Sequence, residues 1–420
     1  STFLNPFGKY MKNKLLQNTL VAAVAVASIG QALADGGKIV THRDLAQTKA
    51  EAIRRAEQSI YPLSAMNAED VRATVAGIQS LERDEWAAAF IRAGDAYMAK
   101  AVAEQDRSAA AKAYAAAQKL YYFGRWPAPL ESKQRQIAYA KERAAFMAGA
   151  KLSTHRVSEI QADYHGKPVY GLLGLPQNTQ KAGAKYPLVL VLGGLDGWKE
   201  ARFSQFSGLL DQGVAILAAD IPGTGQSPAK LQAGSEQSLI ALLDKALENP
   251  QIDQNRIAVY GGSFGGYWSN ILAVKLKDRV KGVVSHSGPY AQTFDRQQFS
   301  AVMNGDEYLY DAYPAMFELF DGIGNENEFF ARFAQQSLKA QGYGKQATAE
   351  MFVVGGQGDT LVPTSDLLDV LAMPGGIKEA WINPTGIHMG RDRQRGLLDA
   401  DINNGIVVPW LIKKLGVNPQ

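Results

Sequence analysis

Three side chains in this sequence have the types and the order needed for nucleophilic chemistry. Ser263 stands in Gly261-Gly262-Ser263-Phe264-Gly265-Gly266, directly after the apolar run Ile257–Tyr260 and before a helical pattern that starts at Tyr267. A serine hydroxyl is a weak nucleophile until a neighbouring base takes its proton and an acid orients that base. A tight strand-to-helix turn exposes such a hydroxyl, and glycines two before and two after it let the surrounding backbone pass without a clash. For a serine on such a turn the acid, then the base, follow later in the chain. Of the histidines His42, His155, His165, His286 and His388, only the last two qualify on order. His388 lies in the Gly/Pro-bearing loop Asn383-Pro-Thr-Gly-Ile-His388-Met-Gly after the apolar Ala380–Ile382, where the base belongs. His286 comes too early for a base but stands at the rim of the same sheet. The acid candidate is Asp359 in Gly355-Gly-Gln-Gly-Asp359, just beyond the strand pattern Met351–Val354. Catalytic groups of open parallel sheets collect at such carboxyl ends. Asp366 and Asp369 follow on a helical stretch and read as solvated.

An attacked carbonyl also needs donors for its developing negative charge. The run Leu188–Leu192 ends in Gly193-Gly194-Leu195-Asp196-Gly197, whose glycines allow close backbone approach to a substrate. By position the donors are the N–H groups of Leu195 and Phe264. Gly194 and Asp196 fall beside them as candidates for the pocket wall. The loop Asp220-Ile-Pro-Gly-Thr-Gly-Gln-Ser227 lacks the lysine and spacing of a phosphate-binding loop and reads as a sheet-edge turn. The chain has no cysteine, which excludes thiolate catalysis, Fe–S clusters and Cys-ligated zinc and is compatible with an oxidising compartment. The reading implies no metal and no organic cofactor.

The elements that must carry these groups divide in two. Residues from about 40 to 152 are rich in Ala, Lys, Arg, Glu and Gln, with Trp86, Phe90 and Tyr97 on one helical face and Tyr114, Leu120 and Tyr121 repeating the pattern. Four or five helices without a strand are expected there, the last from about Lys133 to Gly149 after a break at Gly124, Pro127 and Pro129. From Val157 the period changes. Val157–Tyr164 and Pro168–Leu175 read as a hairpin, and Leu188–Leu192, Val214–Ala219, Ile257–Tyr260, Val280–Ser285 and Met351–Val354 as short apolar strands covered on both faces. Helical stretches such as Ser235–Glu248 and Tyr267–Lys275 alternate with them. An α/β architecture follows, a mostly parallel sheet with helices on both faces. The aromatic segment 290–349 is too long for a simple connection and reads as an inserted lid.

Of 420 residues 46% are hydrophobic and 20% charged, which excludes a disordered or fibrous chain. The net charge of +3 comes from Lys9, Lys12 and Lys14, so residues 35–420 balance 41 basic against 41 acidic groups. Nothing in that balance points to nucleic acid or an anionic membrane. Met11-Lys-Asn-Lys, the apolar stretch Leu20–Ile29 and Ala32-Leu33-Ala34 have the pattern of a secretory signal peptide over residues 11–34. The apolar stretch is far short of the roughly 20 residues of a membrane span. Residues 1–10 then read as an upstream remnant, with a periplasmic or secreted product beginning at Asp35. The domains expected are helices over 35–155 and an α/β unit over 156–420.

The Ser263, Asp359 and His388 set, in that order, resembles the α/β-hydrolase superfamily. Gly193–Glu200, Asp220–Ser227 and the helical region with Trp86, Tyr97 and Tyr114 resemble, more narrowly, its FrsA / 2,6-dihydroxypseudooxynicotine hydrolase branch. The resemblance implies that the N-terminal helices cap the active site, helped by the insertion. It implies a small-molecule substrate and a hydrolase: a carboxylesterase first, with C–C cleavage of a 1,3-diketone-like aromatic ketone as the alternative. The aromatic-rich helical region and insertion point to a small to medium apolar or aromatic ester. A non-catalytic binding protein on the same fold is the reading from another class. His286 and Asp295 are candidates for tuning the pocket, and a homodimer stays open. The export pattern departs from the cytoplasmic members associated with this branch.

Overall fold

The computed structural model describes residues 37–177, 183–303 and 306–418, so the signal-peptide pattern lies outside the described residues. The described residues begin with helices Leu45–Glu57, Ala68–Ala76, Arg83–Ala103, Arg107–Arg125 and Lys133–Ala150. Alanine and long unbranched side chains favour helix throughout this region, and side-chain caps set the starts. Asp44 and Gln47 form a reciprocal capping box, and Asn67, Asp106 and Ser132 accept from the first-turn amides of their helices. Trp86, Phe90, Phe123 and Trp126 form the core of this bundle.

The remainder builds one eight-stranded sheet of order β1-β2-β4-β3-β5-β6-β7-β8. The strands are β1 Arg156–Tyr164, β2 Lys167–Leu175, β3 Tyr186–Leu192, β4 Ala215–Ala219, β5 Ile252–Gly262, β6 Gly282–His286, β7 Met351–Gly356 and β8 Lys378–Asn383. The hairpin β1–β2 is antiparallel and joins β4 antiparallel; all other neighbours are parallel. Every residue of β3 is buried. Leu188, Leu190 and Leu192 pack on one face with helices Glu236–Leu247 and Phe264–Lys275, while Val189 and Val191 pack on the other with helices Lys199–Phe206 and Val408–Lys414. This is why the central strands read as continuous apolar runs with no alternation.

Between β6 and β7 the chain inserts helices Arg296–Met303, Ala312–Phe317 and Glu326–Ala334. Phe299, Phe329, Phe330 and Phe333 pack on one another. The same insertion reaches into the N-terminal bundle. Leu309 and Tyr310 belong to the bundle's core, and Asp311 is fully buried between Arg83 and Arg135, its oxygens 3.0 and 2.7 Å from their guanidinium nitrogens.

The structure differs from the sequence reading at several points, among them β5, which starts at Ile252 rather than Ile257. The helix after Ser263 starts at Phe264 rather than Tyr267, because Gly265 and Gly266 contribute packing room and no hydrophobic period. The loop 220–227 is no sheet-edge turn: β4, which it follows, lies inside the sheet between β2 and β3. Its Asp220 is buried, accepting from the Lys199 N–H and Nζ and from the Gln226 N–H at 2.9–3.0 Å.

Candidate active site

The order of strands places the site. Strand β3 is followed by β4 on one side of it, and the chain then crosses to β5 on the other. Loops leaving the carboxyl ends of β3 and β5 therefore diverge and leave a crevice between them. Gly193–Gly197 follows β3 and Ser263 follows β5, so these two loops face each other. Ser263 has φ 54° and ψ −123°, a conformation that costs about 1–3 kcal/mol for a residue with a side chain. Its N–H donates to the His286 carbonyl at 2.8 Å and its carbonyl accepts from the Gly266 N–H at 2.8 Å, which hold the turn. Gly265 is required by crowding: a Cβ there would lie 2.4 Å from the Gly193 carbonyl oxygen.

The structure brings the other two predicted residues to this serine. His388 Nε2 lies 3.0 Å from Ser263 Oγ, and His388 Nδ1 lies 2.8 Å from Asp359 Oδ2. An ionised carboxylate only accepts, so Nδ1 carries the proton and Nε2 presents its lone pair to the serine hydroxyl. The Asp359 side chain is fully buried. Its other oxygen accepts from the Leu361 and Val362 N–H groups at 2.9 Å each, which fixes the carboxylate without competing for the histidine.

Beside Ser263 lies a cavity of ≈ 50 Å³, walled by Leu195 and Phe264 from the two loops and by Phe299, Tyr308, Met316 and Phe333 from the insertion. Its lining is mainly apolar, with Thr293 and Tyr308 as polar exceptions. Gly194 stands directly against the nucleophile, since a Cβ on it would come within 3.0 Å of Ser263 Cβ. Such a constellation can transfer a proton from Ser263 to His388 while the serine oxygen attacks an electrophilic carbon.

Three pocket candidates from the sequence are placed elsewhere. His286 lies beneath the site: its Nε2 is 2.8 Å from the Met389 carbonyl and its Nδ1 3.1 Å from the Tyr260 hydroxyl. It supports the backbone next to His388, and burial holds its imidazole down to about 4, so it is neutral at pH 7. Asp295 is exposed, and its carboxylate accepts from the Gln297 N–H at the start of helix Arg296–Met303. Asp196 is buried and bonded to the N-terminal helices through its carboxylate. Asp366, read as solvated, is fully buried. It accepts from the N–H groups of Tyr290, Ala291, Gln292 and Thr293 and from the Thr293 hydroxyl, at 2.7–3.1 Å. It thereby fixes the turn that opens the insertion and sets Thr293 in the cavity wall. Its position in the first turn of helix Thr364–Leu371 was the available signal; the distant amides it serves left none.

An eight-stranded, mostly parallel sheet with helices on both faces, carrying a serine on a strained turn after β5, defines an α/β hydrolase. Solved structures agree on the fold. A 2,6-dihydroxy-pseudo-oxynicotine hydrolase superposes with TM-score 0.66 at 18% identity, covering 86% of this chain and 95% of the other. AbyA5 superposes with TM-score 0.65 at 18% identity, covering 90% and 96%. The model of the FrsA-like esterase family (Esterase FrsA-like) matches residues 60–397, and the chain belongs to that family. Esterase FrsA of Vibrio cholerae is 28% identical over 298 residues, 70% of this chain and 69% of the relative. Esterase FrsA of Escherichia fergusonii is 24% identical over 322 residues, 75% and 73%. The protein is accordingly a hydrolase. Among the described residues no helix is long and apolar enough to cross a membrane.

Proposed function

We propose that the protein is a serine carboxylesterase acting on esters of short apolar acids. The observation that carries this reading is the continuous hydrogen-bonded chain from Ser263 Oγ through His388 to Asp359. In the first half-reaction His388 Nε2 takes the hydroxyl proton as Ser263 Oγ attacks the ester carbonyl. The Leu195 and Phe264 N–H groups hold the oxyanion, and Asp359 stabilises the imidazolium. The tetrahedral adduct collapses, the proton passes to the departing alkoxide, and an acyl-enzyme remains. Water, deprotonated by the same histidine, then attacks the acyl carbonyl and frees Ser263 and the acid. Removing one oxyanion donor from such a site typically costs about 3–4 kcal/mol of transition-state stabilisation.

The cavity supports the acyl preference. Its mainly apolar wall favours an acyl chain over a charged group, and ≈ 50 Å³ is far below the roughly 150 Å³ of a cavity that takes a benzene ring, so a short chain fits. Hydrolysis of p-nitrophenyl esters from acetate to decanoate, by the wild type beside Ser263→Ala, tests both statements. We expect the optimum at four carbons or fewer and a loss of at least about 10⁴-fold in the variant. Activity that survives Ser263→Ala would remove the serine mechanism. A well-folded wild type inert on all esters would turn the assignment to C–C cleavage, with aryl 1,3-diketones as the next substrates.

A further inference from the structure

Asp196 follows Leu195, and the inference drawn from it rests on the oxyanion role proposed for the Leu195 N–H. One carboxylate oxygen, Oδ2, takes three donors: the Tyr61 hydroxyl at 2.6 Å, the Tyr122 hydroxyl at 3.0 Å and Trp126 Nε1 at 2.5 Å. All three belong to the N-terminal helical region, between 70 and 135 residues away in the chain. The same region holds the backbone, for Arg125 Nη1 donates to the Asp196 carbonyl at 2.8 Å. Arg125 is itself fixed by Glu142 at 2.8 Å and by stacking 3.7 Å over the Trp198 ring. Trp198 Nε1 in turn donates to the Leu195 carbonyl at 3.0 Å.

These bonds matter because of what the loop is made of. Gly193, Gly194 and Gly197 give it the close approach the site needs and little conformational stiffness. An oxyanion donor is effective when it already points at the developing charge and needs no reorganisation during the reaction. The stiffness must then come from outside the loop. Asp196 is not part of the cavity wall at Ser263, whereas Leu195 is. A buried carboxylate is expensive unless fully bonded, and here the donors on Oδ2 are two hydroxyls and an indole. Burial and the nearby Asp196 charge push both tyrosine hydroxyls well above their ordinary range, so they remain donors across the working pH range.

We propose that Asp196 is a positioning residue: its carboxylate, clamped by Tyr61, Tyr122 and Trp126, keeps the Leu195 N–H aimed at the oxyanion, so that the helical region completes the oxyanion hole. The test uses the full chain carrying Tyr61→Phe with Tyr122→Phe, which removes two of the three donors and keeps both rings. Each single variant and Asp196→Asn are measured beside it. Functional sites are counted by the p-nitrophenol burst or by fluorophosphonate labelling. For each variant kcat per counted site, KM, and inhibition by an alkyl trifluoromethyl ketone of matching acyl length are then measured. That ketone adds to the serine and places an oxyanion in the same donors.

The expected result is a fall in kcat per site of about 10- to 100-fold, below the 10²–10³-fold for complete loss of a donor, with KM within about twofold. The inhibition constant of the ketone rises by the factor by which kcat/KM falls. Unchanged kcat per counted site, even with fewer sites surviving, would make the cluster structural only and overturn the proposal. A raised KM with kcat retained would make Asp196 a substrate-binding group and overturn it equally. Should the double variant yield no countable sites, the single variants carry the same criteria. Wild-type activity in Ser263→Ala would sink the underlying serine reading instead, a result independent of the tyrosine variants.

Discussion

At the scale of single residues, His286 shows how a histidine can serve the site without titrating in it. It is buried against Tyr260 and the backbone of Met389, the residue after His388, and Met389 is held in a left-handed conformation with φ 64°. Burial, the largest cause, lowers its pKa from 6.5 to about 4. Between those values the unfolded chain binds more protons at this position than the folded chain does. Its contribution is therefore complete above about pH 6.5 and is lost as pH falls through about 4, at most ~3 kcal/mol. Urea unfolding at pH 7 and pH 4.5 should show a steeper loss for the wild type than for His286→Gln. Equal losses would mean that the imidazole is not held neutral. The sequence placed His286 at the sheet rim correctly, but a side chain that points below the site looks the same in a sequence as one that points into it.

At the scale of elements, function depends on loops that meet because their strands are neighbours. Gly265 belongs to the β5 turn and touches the β3 loop, with 2.4 Å from its virtual Cβ to the Gly193 carbonyl oxygen. Gly265→Ala should push the two loops apart and lower esterase kcat by at least about 10-fold, because oxyanion stabilisation depends on fixed donor geometry. A normal kcat in a soluble Gly265→Ala protein would show that the loops can separate without consequence. Asp366 joins helix Thr364–Leu371 to the turn at Tyr290–Thr293. Asp366→Ala would strand four buried or half-buried amides and should lower unfolding free energy by about 3 kcal/mol or more. A shift of the urea midpoint equivalent to less than about 1 kcal/mol would contradict that accounting.

At the scale of the whole molecule, the helical region and the α/β unit are locked by the insertion. Tyr310 packs on Trp86 and Trp126, and Tyr308 touches both Trp126 and the cavity at Ser263. Asp311 sits between Arg83 and Arg135 with no exposure. Asp311→Asn would leave two buried guanidinium groups without their counter-charge and should cost about 3–5 kcal/mol. For the same reason chemical unfolding should proceed as one transition, with tryptophan fluorescence and far-ultraviolet circular dichroism coinciding. Two separated transitions would show that the helical region is an independent domain. If residues 11–34 are an export leader, N-terminal sequencing of the protein expressed from Met11 should find Asp35 first; an intact Met11 would remove that reading.

The sequence by itself determined the mostly parallel sheet, the helices between about residues 40 and 152, and the choice and order of Ser263, Asp359 and His388 as site candidates. Each of these signals is local: a hydrophobic period, a glycine-flanked turn, a polar residue just past an apolar strand. Tertiary structure alone decided that Asp196 faces Tyr61, Tyr122 and Trp126, that Asp366 is a buried anchor, that Asp295 is only a helix cap and that His286 supports the loop from below. It also decided which residues of the insertion wall the cavity and which enter the bundle. A buried polar side chain finds its partners across tens or hundreds of residues, and those partners need only be hydroxyls, amides or rings at the right point in space. Strand order brings such points together, and no local spacing in the chain encodes it.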